Sequence, residues 1–282
     1  MKIEEVAKLS SLDRLLYWID ERERIRLKKE AGFPRPWTDD AILSSYRFCN
    51  VRRMDDKVSQ WLWKNWYRPN FNHKNMLLAT TLARNFNRPD TLEAIGFPKI
   101  WNPDRILNIL NERVKKGLKV FSAAYMVTGT LGGTKIEQVL YKIVDPLHKN
   151  PPTIHTSSMQ NTAASLVPCA GFSDFMAGQV TADLRHAMKG LWADKYTWAP
   201  LGPGSKRGLN RLYGYTANSH QTREEFEGML SDTIELLKTK IPKDIMNRLE
   251  AHDLQSCLCE FDKMCRVLDG EGRPKQRYSG GV

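Results

Sequence analysis

The stretch LVPCAGFSDFMA (residues 166–177) predicts a tight turn that leads into the N-terminus of a helix. Two polar loops follow it closely, DKYTW at 194–198 and GPGSKRG at 202–208. Turns of this kind direct unpaired backbone N–H groups outward, and the helix dipole adds partial positive charge at the same place. Because phosphate is the ligand that such backbone favours, this part of a basic chain indicates DNA or RNA before a small metabolite.

Helical patterns continue on both sides of this stretch. Apolar residues recur at helical spacing, as in the face formed by Leu12, Leu15, Leu16 and Ile19. Capping-box pairs open three of the predicted helices: Ser10 with Asp13, Thr134 with Glu137, and Thr222 with Glu225. Residues 76–86 and 103–114 are also predicted to be helical, and Thr38, followed by Asp39 and Asp40, opens a further helix.

Strand signals are nearly absent, and the run at 119–127 is the one ambiguous segment. We therefore predict an all-α fold, one helical domain over residues 1–282, with two lobes joined near 150–170 as its alternative form. The basic end, residues 272–281, is predicted to be a mobile tail unless it contacts a ligand.

The 282 residues carry a formal net charge of +11, which favours a polyanionic partner. Five cysteines, an odd number without a disulfide-scaffold pattern, indicate a reducing compartment. Cys257, Cys259 and Cys265 fit neither zinc nor iron–sulfur spacing and are interpreted as buried helix residues. No apolar run reaches membrane-spanning length and no signal peptide opens the chain, so a soluble intracellular protein is expected.

The segment YRFCNVRRMDD (46–56) places three arginines, an amide and two carboxylates among apolar residues. It is either an ion-paired structural contact, with Arg53 bonded to Asp56 at helical spacing, or the charged wall of a pocket. In the second case an arginine fork binds a carboxylate or a phosphate. The sequence favours the two interpretations about equally, because charged residues among aromatic ones need partners either way.

The turn at Gly171 is similar to the helix-hairpin-helix pattern Gly-x-Gly-x-x-x-Ala, with Ser173 where the second glycine belongs. That pattern offers backbone N–H groups to a DNA phosphate, whereas the alternative is an ordinary turn between helices. Downstream, Gln179 and Asp183 lie one helical turn apart and are candidates for a shared pocket. Asp183 is otherwise a solvent-facing partner of the basic residues that follow it.

The loop at 202–208 is the stronger phosphate candidate. Gly204 allows close approach of the backbone, Ser205 can cap the following helix, and Lys206 and Arg207 supply positive charge. Neither this loop nor the run at 129–135 has Walker A spacing, so no nucleotide-triphosphate site is predicted. The six histidines are dispersed without ligand spacing, and we predict neither a metal nor a cofactor.

Several of these segments occur together in a distinctive order: 36–40, 46–56, 121–135, 171–184, 202–209, 260–261 and 272–278. In this order the chain, from Leu15 to Tyr278, resembles the phage alpha-glutamyl/putrescinyl thymine pyrophosphorylase family, also described as amino acid:DNA transferases. Close relatives of that family include the helical domain of 5-hydroxymethyluracil DNA kinases. The resemblance implies a helical architecture like that of DNA glycosylases.

The resemblance also implies a reaction and a location. In hypermodified phage DNA a separate kinase phosphorylates 5-hydroxymethyluracil, and the transferase replaces the phosphate or pyrophosphate with the amine of an amino acid. Glycine is the expected amino acid, and double-stranded DNA carrying the phosphorylated base is the expected partner. A protein of this kind works in the cytoplasm of the infected bacterial host, with no membrane partner.

Under this resemblance three tasks fall to this chain. The leaving phosphate needs cations and N–H donors, for which residues 204–207 come first and Lys135, Gly171, Arg273 and Lys275 give support. A carboxylate must take the ammonium proton of the amino acid, with Asp183 favoured and Asp56, Asp194 and Glu260 as rivals. Substrate binding is assigned to Arg47 or Arg53 for the carboxylate of glycine, to Asn50 or Gln179 for the uracil edge, and to Trp198.

A glycosylase-like fold predicts that the base is flipped out of the stack, although the pyrimidine 5-position already faces the major groove. Two other functions remain open. One is a helix-hairpin-helix DNA glycosylase with Asp194 as its aspartate, which would leave an abasic site. The other is a non-catalytic DNA-binding subunit, in which residues 47–56 would form a structural ion-pair cluster.

Overall fold

The computed structural model describes residues 3–122, 131–274 and 276–278. Over these ranges the chain is helical and contains no β-strand, so the predicted all-α fold is confirmed. Tyr46 and Arg277 form an isolated antiparallel bridge. Residues 123–127 of the ambiguous run lie outside the described residues, and 119–122 contain neither helix nor strand.

The helices of the described residues are, in chain order, α1 (Ile3–Ala7), α2 (Ser11–Glu30), α3 (Ala41–Ser45), α4 (Lys57–Trp61), α5 (Met76–Phe86), α6 (Pro89–Ile95), α7 (Pro103–Lys115), α8 (Lys135–Glu137), α9 (Asp145–Lys149), α10 (Met159–Leu166), α11 (Asp174–Ala187), α12 (Pro203–Leu212), α13 (Arg223–Lys240), α14 (Lys243–Met246) and α15 (Ala251–Leu268). π-Helical segments, Leu62–Tyr67 and Gln138–Val144, extend α4 and α8. Short 3₁₀ turns lie at Arg53–Asp55 and Arg68–Asn70.

Local capping sets several helix starts where the sequence predicts them. The hydroxyl of Ser10 accepts a hydrogen bond from Asp13 N at 3.1 Å and thereby begins α2. Thr134 and Thr222 form complete capping boxes at α8 and α13. The carboxylate of Asp40 caps α3 by accepting from Ile42 N and Leu43 N. Each contact satisfies backbone donors that a helix start would otherwise leave unpaired.

The chain divides into two compact units. Unit 1 combines Met1–Asp56 with Tyr196–Val282, and unit 2 is the continuous stretch Lys57–Lys195. Residues 150–170, where the sequence analysis places a junction, lie inside unit 2. The division into domains therefore differs in position from the two-lobed alternative.

The core of unit 1 forms where the two separate stretches of chain meet. Its largest buried side chains include Trp18 and Leu15 from α2 and Phe226 and Phe261 from α13 and α15. Helices α12 and α15 pack closely along their lengths. In this way the segment after α3 comes to lie beside α15.

Unit 2 is built around α5, of which every residue is buried. Helix α11 packs against α5 on one side and against α10 on another. Both α5 and α11 carry polar residues into this interior, among them Arg84 and Asp183. Such groups need partners once water is excluded.

Within the predicted tail, residues 276–278 contact the segments near α2 and α3. Arg47 N donates to Gln276 O at 3.1 Å, and Tyr278 N donates to Ser45 O at 3.1 Å. The ring of Tyr278 lies 6.1 Å from that of Trp37. Backbone pairing and aromatic packing with distant parts of the sequence thus hold residues 276–278 in unit 1.

Candidate functional site

The segment between α3 and α4 is fixed to α15 in unit 1. Cys49 N donates to Glu260 Oε2 at 3.0 Å, and Arg53 N donates to Asp253 Oδ1 at 2.8 Å. The thiol of Cys257 faces Val51 O at 3.5 Å. Carboxylates of α15 therefore hold the backbone of the predicted charged wall, residues 46–56.

Asp56 is the carboxyl group with the most unusual environment in this segment. Its Oδ1 accepts a hydrogen bond from Asn50 N at 2.9 Å. Burial raises the pKa of Asp56 to about 6, although the Asn50 bond and the charge of Arg53 act in the opposite direction. A carboxyl that ionises this close to neutral pH can accept a proton efficiently from an amine, as a general base must.

Asn50 is used inside its own loop. Its Nδ2 donates to Asp55 O at 2.7 Å, and its Oδ1 accepts from Arg22 Nη2 at 2.9 Å. Arg22 also donates through Nε to Cys49 O at 3.1 Å. The amide of Asn50 thus positions the loop and, through its backbone N–H, Asp56.

The two arginines proposed for the amino-acid carboxylate have different surroundings. Arg53 Nη1 lies 3.1 Å from His252 Nε2, and its charge acts on Asp56. Arg47 is exposed, with its guanidinium 5.8 Å from the centre of the Tyr278 ring. Arg53 is therefore the arginine that neighbours the Asp56 carboxylate.

Glu260 is engaged on both sides. It is 8% exposed, pairs with Lys263 at 2.6 Å and accepts the backbone bond from Cys49. The negative charge of Glu260, followed by burial, raises the pKa of the Cys49 thiol. Because Cys49 has exposed surface, the charge of Glu260 is the main cause of its raised pKa. The same charge disfavours a thiolate nucleophile at this position.

The glycines of the 202–208 loop serve helix packing. A Cβ at Gly204 would overlap Cys259 Sγ, and one at Gly208 would overlap the backbone carbonyl of Leu258. Both glycines lie in α12 and permit its close approach to α15. Close packing on α15 therefore explains Gly204, and its contact with a phosphate stays a prediction.

Ser205 caps α12, as predicted, from a fully buried position. Its Oγ donates to Gly202 O at 3.0 Å and receives a hydrogen bond from Gln255 Nε2 at 2.8 Å. These contacts use the hydroxyl within unit 1. Ser205 thus stabilises the start of α12 and does not present its side chain to a phosphate.

The two cations that follow Ser205 differ in their ion pairing. Arg207 Nε donates to Asp262 Oδ2 at 2.9 Å, whereas Lys206 has no ion-pair partner among the residues that the structure describes. Burial and the charge of Glu260 raise the pKa of the Cys259 thiol to about 11, while the charges of Lys263 and Arg207 lower it. Since these charges act on one thiol, the start of α12 and the Cys49–Glu260 contact border the same part of α15.

Asp183, the favoured base in the sequence analysis, is a buried member of an ion pair in unit 2. Its Oδ2 accepts from Tyr67 Oη at 2.6 Å, and its Oδ1 pairs with Arg84. The residue is 5% exposed, so the alternative of a solvent-facing partner is wrong as well. Gln179 lies one turn earlier on α11, as predicted, and is also buried.

Asp194 is occupied as a helix cap. Its carboxylate accepts hydrogen bonds from Ser158 Oγ at 2.8 Å, Met159 N at 2.7 Å and Gln160 N at 2.9 Å. It therefore stabilises the start of α10. This use of both oxygens weakens the glycosylase alternative, which needs the aspartate at the reacting sugar.

The turn at Gly171 joins α10 to α11, as the opening stretch predicts. Gly171 has φ +81°, and a Cβ there would overlap the side chain of Ile143. Ser173 accepts from Met176 N and caps α11. Conformation and packing explain this glycine, and its contact with DNA stays a prediction.

The remaining predicted residues are dispersed. Trp198 is buried in unit 1, and its Nε1 has no hydrogen-bond partner among the described residues. Lys135 is exposed at the start of α8 in unit 2, and Arg273 is exposed near the end of unit 1. Lys275 lies outside the described residues.

Sequence reasoning missed residues that reach this site through the fold. Lys263 pairs with Glu260, and their spacing of three residues within a helix was the available signal. His252 and Asp253 contact Arg53 from about 200 positions away in the sequence, where no local pattern could indicate them. Tyr278, the other missed residue, lies in the tail.

In comparisons with known proteins, residues 10–273 match the model of the family described as "5-hmdU DNA kinase, helical domain". The chain belongs to the 5-hmdU DNA kinase helical-domain family. This membership confirms the predicted relation to the helical domain of 5-hydroxymethyluracil DNA kinases. It also agrees with the all-α fold of the described residues.

The chain is similar to a curated protein, the 5-hmdU DNA kinase of Bacillus phage SP10, which is 29% identical over 231 residues. The match covers 70% of this chain and 36% of the relative, so the chain spans about a third of that kinase. No solved structure matches the chain.

Two further observations concern the described part of this helical-domain chain. None of its helices is both long and apolar enough to cross a membrane. No group of three or more His, Cys, Asp or Glu side chains in the described ranges is arranged to hold a metal ion.

Proposed function

We propose that this chain modifies thymine bases in phage DNA, transferring an amino acid onto 5-phosphomethyl- or 5-pyrophosphomethyl-deoxyuridine with release of phosphate or pyrophosphate. Glycine is the first candidate for the amino acid. The substrate is double-stranded DNA in the cytoplasm of the infected bacterium. The observation that carries the proposal is the family match over residues 10–273.

The proposal assigns successive steps to different proteins or domains. The matched relative is a 5-hmdU DNA kinase, and this chain covers only 36% of it. The chain has no Walker A loop, so a transfer from nucleotide triphosphate has no recognisable site in its sequence. A step that starts from an already phosphorylated base needs no such site, which agrees with the sequence.

In the proposed step the amine nitrogen attacks the exocyclic carbon on the pyrimidine 5-position. A C–N bond forms, the C–O bond breaks, and the phosphate leaves with the electron pair of that bond. The amine must first lose its ammonium proton, which passes to a carboxylate. The negative charge that develops on the leaving group needs a nearby cation.

Asp56 supports the role of base better than the other three carboxylates. Asp183 is paired with Arg84, Asp194 caps α10, and Glu260 is paired with Lys263. Asp56 has a pKa of about 6 and one backbone hydrogen bond. Among the described residues its second oxygen, Oδ2, has no hydrogen-bond partner, and that oxygen is assigned to the amine.

Two arginines and a lysine complete the assignment. Arg53, beside Asp56, binds the carboxylate of the amino acid, which places the amine near the base. Lys206 and Arg207, on the adjoining part of α12, stabilise the leaving phosphate. The charge of Arg207 acts on the pKa of Cys259 together with those of Lys263 and Glu260, which supports the assignment for Arg207.

The direct test is mass spectrometry of nucleosides after phosphorylated 5-hydroxymethyluracil DNA is incubated with the protein and each candidate amine. The expected result is a nucleoside heavier by the added amino acid, in an intact strand, with release of phosphate or pyrophosphate. The same incubation with Asp56→Asn is expected to give product about 10²-fold or more slowly. Unchanged nucleoside mass with every amine would contradict the transferase.

A second candidate function is a non-catalytic DNA-binding domain that serves the kinase. The specific observation in its favour is that the relative is itself a kinase and that the match covers only part of it. In that case the protein binds the duplex without changing nucleoside mass, and addition of the kinase restores modification. An abasic site would instead indicate the glycosylase.

The proposed reaction can take place on a flipped base or on a base that stays in the stack. An experiment can distinguish the two geometries. 2-Aminopurine placed beside the target base fluoresces more strongly when its neighbour leaves the stack. An increase on binding is expected. Constant fluorescence would indicate that the chemistry takes place in the major groove.

A further inference from the structure

The C-terminal residues of the described chain form a basic surface with the segments near α2 and α3. This C-terminal basic surface consists of Lys29, Arg35, Arg47 and Arg277, arranged around Trp37, Tyr46 and Tyr278. The backbone of 276–278 pairs with that of 45–47 at 3.1 Å in two hydrogen bonds. The surface therefore depends on backbone contacts, which persist when side chains are changed.

Cations surround the ring of Tyr278. The guanidinium of Arg35 lies 4.4 Å from its centre and that of Arg47 lies 5.8 Å from it. Lys29 Nζ donates to the phenol oxygen at 3.0 Å. A fourth cation, Arg277, lies 5.2 Å from the ring of Tyr46.

These charges create a positive field at the surface. Burial lowers the pKa of Lys29, and the charges of Arg22 and Arg35 lower it further. Burial raises the pKa of Tyr278, but the bond from Lys29 and the neighbouring positive charges outweigh it, so the net shift is downward. The downward shift of Tyr278 is the direction that neighbouring positive charge produces.

Carboxylates do not neutralise Arg47 and Arg277. Arg47 and Arg277 are exposed, and neither has a carboxylate partner among the residues that the structure describes. Arg211, in the same unit, shows the usual compensation, since Asp262, Asp269 and Glu271 pair with it. Exposed arginines that lie on aromatic rings and pair with no carboxylate are suited to bind phosphate oxygens.

We infer that the C-terminal basic surface binds the phosphodiester backbone of DNA, an inference that rests on the proposed function for the identity of its polyanion. Its cations come from α2, the loop after α2, the segment after α3 and residues 276–278. Phosphate contacts of this kind orient a protein on the duplex without reading its sequence. The surface thus holds the DNA, while residues 49–56 and α15 act on the base.

The test compares the affinity of the full chain for unmodified duplex DNA between 50 and 200 mM salt, measured by fluorescence anisotropy. The double variant Arg47→Gln with Arg277→Gln is expected to bind roughly ten-fold more weakly at the middle of this range, with the salt slope reduced by about 1–2. Arg47→Lys with Arg277→Lys should recover most of the affinity, because the charge remains. Lys240→Gln removes an exposed cation outside the surface and should leave binding unchanged.

This experiment needs neither a modified base nor an amine, so it separates the surface from the reaction. Loss of DNA affinity in the glutamine variant, with an unchanged melting temperature, supports the surface even if no transfer occurs. Binding equal to that of Lys240→Gln overturns it. So does a result in which only binding to vesicles of phosphatidylserine and phosphatidylcholine depends on Arg47 and Arg277.

Discussion

Asp56 is the proposed general base, and its negative charge destabilises the folded state. Its pKa rises from 3.8 to about 6 on folding. Below about pH 4 both states hold the proton, and between pH 4 and 6 the unfolded chain loses it first, so stability falls as pH rises. Asp56→Asn is therefore expected to raise the free energy of unfolding at pH 8 by roughly 1–3 kcal/mol, with a smaller gain at pH 4.

Denaturant unfolding at the two pH values measures this difference. Asn keeps an oxygen for the hydrogen bond from Asn50 N, so the change removes the charge and little else. Asp232→Asn, at an exposed position on α13, is the matched control and should show no pH-dependent gain. If Asp56→Asn destabilises the protein at pH 8, the raised pKa is the wrong explanation of this carboxyl.

The same substitution predicts the pH dependence of transfer. The base works as a carboxylate. Ionisation of Asp56 should therefore make kcat/KM of the wild type rise with pH up to about 6, above which this group no longer changes it. Asp56→Asn should lower kcat by about 10²-fold or more and remove that rise. If Asp56 had only a structural role, its replacement by Asn would not raise stability while it lowers activity.

Asp183 was favoured as the base from the sequence, but its charge is expected to stabilise the folded state, unlike that of Asp56. Its partners Tyr67 and Arg84 lie 116 and 99 positions away, so its environment was not visible in any local pattern. Asp183→Ala leaves the buried Arg84 without this partner and should destabilise the protein by about 3–5 kcal/mol. Thermal unfolding measures the effect, and a fully stable Asp183→Asn variant without transfer would return the base role to this residue.

Helix starts show where sequence patterns work, and the packing of α12 on α15 shows where they fail. Capping at Ser10, Thr134 and Thr222 was predictable because each contact joins residues three positions apart. The glycines of α12 follow a pattern that phosphate loops and close helix packing share. Only the position of α15, which no local signal encodes, distinguishes the two.

Packing of α12 on α15 can be tested at two helical glycines. Gly208→Ala forces a Cβ into the Leu258 carbonyl, so it is expected to lower the free energy of unfolding by about 1–3 kcal/mol or more. Gly228 in α13 has no atom within 4 Å of an added Cβ, and Gly228→Ala should raise it by roughly 0.5–1 kcal/mol. Equal effects of the two changes in denaturant unfolding would contradict the close contact.

The chain as a whole joins a continuous unit to a discontinuous one. Fold class was predictable because helical periodicity recurs along the chain, whereas the boundaries at 56 and 196 depend on which helices share a core. In unit 1 that core requires both stretches: Trp18 precedes unit 2, and Phe226 and Phe261 follow it. Neither stretch can bury its apolar face alone.

This arrangement predicts that residues 57–195 fold when produced separately, because unit 2 has its own buried helix α5 and closes without the rest of the chain. The fragment is expected to be helical and to unfold cooperatively with heat, by circular dichroism and calorimetry. Residues 196–282 alone are the matched control and should show no cooperative transition, since α12–α15 then lack α2. A fragment 57–195 without a cooperative transition would mean that unit 2 needs unit 1 to fold, and the two would then be one cooperative body.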